Sequence, residues 1–158
     1  PGFFEMSRET GIDILWHPSL SNQSPVTHAV LLEELVAGER SLDILCVEGF
    51  VISGPDGSGR FDLCEEQPKL KIIQQLAARA QVVLAVGTCA AYGGIGNIGM
   101  IEACGLQFSG TLPGGALGAE FRSGCGLPVI NLPGCPTHYA VLADTLLSIA
   151  EGQLPELN

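Results

Sequence analysis

A chain of 158 residues, 46% hydrophobic and only 15% charged, carries enough apolar material for one well-buried domain and excludes intrinsic disorder. Seven Lys and Arg stand against 17 Asp and Glu, so the net charge of −10 repels a phosphate backbone and excludes nucleic acid as a partner. No apolar run approaches the roughly 20 residues that span a bilayer, and no signal-like segment precedes the first predicted strand, so a cytoplasmic protein is expected.

In chain order, Gly11 to Trp16 is a short apolar run expected as the first strand, followed by a loop from His17 to Pro25. Ser24 and Pro25 supply an N-cap and a first-turn proline for a helix whose stripe is Val26, Ala29, Val30, Leu31, Leu35 and Val36, closed by Gly38. Leu42 to Val47 is the second strand and ends at Glu48-Gly49. The turn composition of Gly54 to Gly59 makes Phe50 to Cys64 an excursion from the sheet. Pro68 opens a helix with Leu70, Ile73, Leu76, Ala77 and Ala80 on one face, and Val82 to Val86 is the third strand. A long Gly-rich connection with one helical turn, Gly93 to Gly126, leads to the fourth strand, Pro128 to Leu132. A last helix, Tyr139 to Ala150, is stopped by Gly152 and Pro155. Strands alternating with helices predict a doubly wound parallel sheet of flavodoxin type, a three-layer αβα fold, as a single domain over residues 1–158.

Six cysteines in a chain with this much aliphatic core read as buried thiols or metal ligands rather than a disulfide scaffold. Cys89 and Cys135 stand apart because each lies in a Gly- or Pro-rich loop just after a strand. In an open parallel sheet such loops converge on one edge, where ligands bind, so the two thiols are predicted to meet there. The same edge receives His17, Ser19, Ser21 and Ser24 after the first strand, Glu48 after the second, Thr88 after the third and His138 after the fourth. That set is rich in soft ligands and holds no marked nucleophile and base. Gly94-Ile95-Gly96-Asn97-Ile98-Gly99 matches G-x-G-x-x-G, yet seven residues separate it from its strand and no acidic residue stands at the end of the next strand. These glycines read as turn formers rather than a dinucleotide fingerprint. A mean hydropathy of +0.34 points to apolar surface covered by a partner, and the connection from Gly93 to Phe121 is the candidate surface.

Val86-Gly87-Thr88-Cys89-Ala90-Ala91-Tyr92-Gly93-Gly94 and Pro128-Val129-Ile130-Asn131-Leu132-Pro133-Gly134-Cys135-Pro136-Thr137-His138 carry a resemblance, together with Val47-Glu48-Gly49 and Gly152-Gln153-Leu154-Pro155-Glu156-Leu157. In this order, over nearly the whole chain, they resemble the small subunit of nickel-iron hydrogenases. The resemblance implies a flavodoxin-like domain that holds a proximal 4Fe-4S cluster and docks, as a heterodimer, on a large subunit carrying the nickel-iron centre. Further electron-transfer subunits are implied beside it. Cys89 and Cys135 correspond to the family's third and fourth cluster ligands and Glu48 to an acidic residue near the cluster, with Gly87, Thr88, Gly134 and His138 expected around it.

The chain departs from the family at the first two ligands. Where the family has C-x-x-C after the first strand, this sequence runs Trp16-His17-Pro18-Ser19-Leu20-Ser21-Asn22-Gln23-Ser24-Pro25. Ser21 and Ser24 have the matching spacing, but a hydroxyl is a hard ligand and cluster iron is ordinarily held by four thiolates. Cys46, two residues before Glu48 on the same strand face, is the expected substitute. The family's second, cysteine-rich domain is expected to be absent from this chain, and an export signal removed before Pro1 is the alternative to a cytoplasmic origin. Three functions follow: an electron-relay subunit of a nickel-iron hydrogenase, a diverged non-redox paralogue that assembles or regulates a hydrogenase-type large subunit, and a mononuclear metal or flavin module. Zinc held by Cys89, Cys135, His17 and His138 would mark the third.

Overall fold

The computed structural model describes residues 7, 11–64, 66–97 and 101–154. In chain order the elements are α1 (Pro25–Ala37), β1 (Ile44–Glu48), β2 (Val51–Ile52), β3 (Leu63–Cys64), β4 (Gln67–Pro68), α2 (Lys69–Ala77), β5 (Val82–Val86), α3 (Gly87–Tyr92), a 3-10 turn (Gly94–Asn97), β6 (Ala103–Cys104), β7 (Phe108–Ser109), β8 (Leu112–Pro113), β9 (Ile130–Leu132) and α4 (Tyr139–Ala150). The chain divides into two compact units, one over residues 32–137 and one that joins residues 1–31 with 138–158.

The larger unit is built on a parallel sheet of order β1-β5-β9. β5, Val-Val-Leu-Ala-Val, is buried at all five positions, as a strand flanked on both edges must be, and its unbroken apolar run is the sequence mark of that position. Glu48 pairs with Val86 and Val86 with Leu132, so the three strands end level at their carboxyl edge. α2 starts directly after Pro68, whose fixed φ suits a helix entry, and buries Leu70, Leu76 and Ala77. Leu70 and Ala77 join Val83, Ala85, Ala90, Ala91, Leu106 and Val129 in one core. Ala85, Ala90 and Ala91 are fully buried, and their small side chains let α3 lie close over the sheet end.

The long connection after α3 is more ordered than its glycine content predicts. β6 pairs antiparallel with β2, and β7 with β8. Gln107, only 5% exposed, ties the excursion down: its Nε2 donates to the Ala119 carbonyl at 2.8 Å and the Phe121 carbonyl at 3.2 Å, and its Oε1 accepts from Val129 N–H at 2.8 Å. One buried amide therefore bonds three backbone groups and pins the excursion to the start of β9. Gly105 lies so close to α3 that an added Cβ would land on the Ala91 carbonyl.

Residues 11–16 do not form the expected first strand; among the described residues the parallel sheet has three strands, not four. The carbonyls that a ladder would use are taken by side chains, Ile12 by Ser7 Oγ at 2.5 Å and Leu15 by Gln23 Nε2 at 3.3 Å. Trp16 stacks on His28 with centroids 4.5 Å apart. α1 begins as predicted, with Ser24 Oγ accepting from Thr27 N–H at 3.2 Å, and ends at Gly38, whose φ of +81° is the left-handed stop that glycine adopts readily. Its stripe is only half covered: Leu31 and Leu35 are buried, while Val26 and Val30 are exposed. α4 is capped by His138, whose Nδ1 accepts from Ala140 N–H at 3.2 Å, and Gly152 follows it at φ +76°. Pro155, expected to help stop this helix, lies outside the described residues.

Candidate functional site

Two loops meet at the carboxyl edge of the sheet. β5 passes directly into α3 through Gly87, whose φ of +90° turns the chain sharply and brings Cys89 into the first turn of the helix. β9 passes into Pro133 to Thr137, a loop folded back on its own strand by Thr137 Oγ1 donating to the Leu132 carbonyl at 2.7 Å. Gly134 sits at φ +152°, and an added Cβ would lie 2.7 Å from Thr137 Cα, so this loop has room only for glycine there. The peptide bond between Cys135 and Pro136 is cis.

Thr88 joins the two loops. Its N–H donates to the Gly134 carbonyl at 2.9 Å, and its Oγ1 accepts from Gly134 N–H at 3.1 Å. Cys89 and Cys135 follow these partners by one residue each and line one cavity of about 790 Å³ with Thr88, Tyr92, Gly94, Ile95 and Phe108. Tyr92 stands one helical turn after Cys89 and meets Phe108 edge to face, with centroids 5.8 Å apart, which gives the cavity an aromatic wall. Cys89 is half-buried and Cys135 exposed. Gly94 is forced by the first thiol: a Cβ there would come within 2.5 Å of Cys89 Sγ.

Within the larger unit, Cys46 and Glu48 are not among the residues that line this cavity. Among the described residues no group of three or more His, Cys, Asp or Glu side chains is placed to hold a metal ion. Cys46 lies inside the β1 ladder opposite Leu84, two residues short of the strand end marked by Glu48 and Val86. Its side chain reaches the surface, yet the protein packed round the sulfur desolvates the thiolate and pushes the pKa up to about 11. At neutral pH this sulfur is therefore a thiol rather than the thiolate a metal takes. Glu48 is exposed at the end of β1.

In the smaller unit, Ser21 Oγ accepts from His17 N–H at 2.9 Å. Ser24 Oγ caps α1 and shares a 2.9 Å hydrogen bond with Thr27 Oγ1. His138 caps α4. Cys104 is buried in β6, where desolvation raises its pKa against a hydrogen bond from Ser53 that lowers it. Cys125 lies at the amino edge of the sheet, as expected, with its N–H donating to the Gln81 carbonyl at 3.1 Å.

Measured against a 4Fe-4S cluster, the donor set is half complete. The cavity offers two thiolates, and a cubane ordinarily takes four. The residues around the cavity therefore do not by themselves hold such a cluster. Of the residues that line the cavity, the sequence singled out Thr88, Cys89 and Cys135 but not Tyr92, Ile95 or Phe108. Tyr92 was readable from its spacing to Cys89, whereas Phe108 arrives from the far side of the connection without any local signal. Of the glycine run read as turn formers, Gly94–Asn97 makes the 3-10 turn, and Ile98 and Gly99 lie outside the described residues.

Residues 1–149 match the family described as NADH ubiquinone oxidoreductase, 20 Kd subunit. The F420 non-reducing hydrogenase II small subunit of Methanosarcina mazei is 32% identical over 146 residues, covering 89% of this chain and 37% of that protein. The periplasmic NiFe hydrogenase small subunit of Solidesulfovibrio fructosivorans is 25% identical over 100 residues, 63% of this chain and 28% of that protein. The chain thus spans less than two fifths of the length of these relatives. Among solved structures, the reduced, active Ni-Fe-Se hydrogenase of Desulfomicrobium baculatum superposes with a TM-score of 0.76 at 21% identity, covering 98% of this chain and 58% of that one. The actinobacterial-type NiFe-hydrogenase of Ralstonia eutropha gives 0.68 at 24% identity, covering 90% and 43%. The fold is the three-layer α/β arrangement of these chains, a central parallel sheet with flanking helices, as the alternation of strands and helices predicted.

Proposed function

Since the chain belongs to the family described as NADH ubiquinone oxidoreductase, 20 Kd subunit, we propose that it serves as the small, electron-transferring subunit of a nickel-iron hydrogenase, paired with a large subunit that carries the hydrogen-splitting centre. The carrying observation is the convergence of Cys89 and Cys135, from loops after two adjacent parallel strands, on one cavity at the carboxyl edge of the sheet. Relatives named as hydrogenase small subunits match over most of the chain and support the same assignment.

The redox group we assign to this cavity is an iron-sulfur cluster, which in proteins of this kind passes single electrons. Cys89 and Cys135 would supply two thiolates to such a group, while Thr88 and Gly134 hold the two loops together and Tyr92 and Phe108 line the cavity. Exclusion of water and hydrogen bonds near the sulfurs are the terms that set such a group's potential. Ile95, which lines the cavity, and Leu112, next to the lining Thr111, are 83% and 69% exposed and supply apolar surface for the large subunit. The engagement of Ser21 and Ser24 in local hydrogen bonds favours one second reading, a paralogue that pairs with a large subunit and carries no cluster.

Anaerobic co-purification with a nickel-iron large subunit, with iron and labile sulfide assayed on the complex, tests the assignment. Co-purification that carries iron and sulfide and is weakened by replacing Ile95 and Leu112 with Asp is the expected result. Co-purification without iron or sulfide selects the second reading, and failure to pair overturns both.

A further inference from the structure

We propose that Cys89 and Cys135 form a reversible thiol–disulfide site, which small disulfides oxidise to an intrachain bridge across the cavity. The bridge needs no bound group and involves the larger unit alone, since all six cysteines fall within residues 32–137.

The clasp between the two loops carries the argument. Both thiols are free and line one cavity. The residue before each is held by the other loop, Thr88 N–H donating to the Gly134 carbonyl at 2.9 Å and Gly134 N–H to Thr88 Oγ1 at 3.1 Å. Backbones bonded N–H to C=O run about 5 Å apart, within the roughly 4.4–6.8 Å between Cα atoms that a disulfide spans. The cysteines thus leave the clasp from a separation that an S–S bond bridges.

The remaining thiols are poorly placed to compete. Cys46 sits in the β1 ladder with its pKa pushed up to about 11, so it keeps its proton and reacts slowly. Cys104 is buried in β6, Cys64 is held in the β3–β4 pairing, and Cys125 stands at the amino edge beside Gln81. None of the four lines the cavity.

Cys135 is exposed and Cys89 half-buried, which sets the order of the chemistry. The Cys135 thiolate attacks one sulfur of a small disulfide, whose S–S bond breaks, and one small thiol leaves. The Cys89 thiolate then attacks the Cys135 sulfur, closes the bridge and releases the second small thiol. Two electrons pass from the protein to the small disulfide, and the two cysteine protons end on the two small thiols. A bridged sulfur is no thiolate, so the oxidised cavity is barred to metal groups until a dithiol reduces it. That consequence rests on the proposed function, whereas the bridge itself does not.

The test is anaerobic treatment of the metal-free whole chain with oxidised glutathione. Remaining thiols are trapped with N-ethylmaleimide in urea, the peptides are mapped by mass spectrometry, and sedimentation gives the mass of the product. The expected product is a monomer in which Cys89 and Cys135 are joined, the other four cysteines carry maleimide, and dithiothreitol restores both thiols. Cys89→Ser is expected to stop at a glutathione adduct on Cys135, with unchanged circular dichroism.

Stable glutathione adducts on Cys89 and Cys135 without a joined peptide put the two sulfurs out of each other's reach and overturn the proposal. A bridge from either to another cysteine, a bridge between chains, or no reaction overturns it equally. An unmodified Cys135 in the Cys89→Ser variant contradicts the order of attack and counts against it. Each of these results leaves the proposed function standing, because that is read from iron, sulfide and pairing with a large subunit.

Discussion

Thr88 and Gly134 hold each other through two hydrogen bonds, Thr88 N–H to the Gly134 carbonyl at 2.9 Å and Gly134 N–H to Thr88 Oγ1 at 3.1 Å. Each residue directly precedes a cavity cysteine, so this clasp sets the spacing of the two thiols. The side-chain half of it is removable. Thr88→Val keeps the shape and leaves Gly134 N–H without its acceptor, a loss of about 1 kcal/mol. A lower urea midpoint and weaker iron retention are expected for Thr88→Val, with both restored in Thr88→Ser. Equal behaviour of the two variants would show that the hydroxyl has no part in holding the loops.

Gly94→Ala places a methyl group 2.5 Å from the present position of Cys89 Sγ, at a backbone φ of +50°. The left-handed conformation costs an alanine about 1 kcal/mol, which a folded chain tolerates, but the thiol must move. The expected outcome is a chain with unchanged circular dichroism that has lost most of its bound iron. Full iron content in this variant contradicts the position given to Cys89.

Cys46 combines an exposed surface with a thiol whose pKa is pushed up to about 11. Because the raised value keeps the proton on sulfur, its thiolate fraction stays small at pH 8 and grows as pH rises toward 11. Iodoacetamide labelling of the metal-free protein, followed residue by residue by mass spectrometry, is therefore expected to be slow at Cys46 at pH 8 and to accelerate steadily above it. Rapid labelling at pH 8 refutes the desolvated environment.

Gly105→Ala presses a Cβ into the Ala91 carbonyl and within 2.6 Å of Tyr92 N, so α3 must shift or the connection must detach. Overpacking of this kind costs about 1–3 kcal/mol, read as a drop in Tm. Gly49→Ala is the control, because no atom lies within 4 Å of its added Cβ and only its φ of +89° is strained. A smaller drop for Gly105→Ala than for Gly49→Ala contradicts the close approach of the connection to α3.

Cys125 stands at the amino edge, beside Gln81, while Cys89 and Cys135 stand at the carboxyl edge. Cys125→Ala is expected to leave bound iron unchanged, whereas Cys89→Ala and Cys135→Ala remove it. Iron loss from Cys125→Ala equal to that from the other two would overturn the assignment of the edge.

Much of the sheet was legible because its signals are local. The apolar run Val82 to Val86 coincides with β5, and the Ser24-Pro25 start and Gly38 stop bracket α1. The segment 11–16 was misread because an apolar run shows that residues can pair in a sheet, not that their carbonyls remain available. Here Ser7 and Gln23 take two of those carbonyls. The connection from Gly93 to Gly126 was illegible in the opposite sense: its strands are two residues long and its order comes from Gln107, whose three partners lie 12 to 22 residues away.

The residue order alone determined where the chain extends, coils and turns, and it marked two loop cysteines as unlike the other four, because side-chain period and turn chemistry act over a few neighbouring residues. The tertiary structure decided which groups share the cavity: it added the ring of Phe108, clasped Thr88 to Gly134, and kept Cys46 and Cys125 apart from Cys89 and Cys135. Convergence of side chains depends on strand register and on the return paths of long loops, and these are set by burial and hydrogen bonding across the whole unit rather than by any local stretch of sequence.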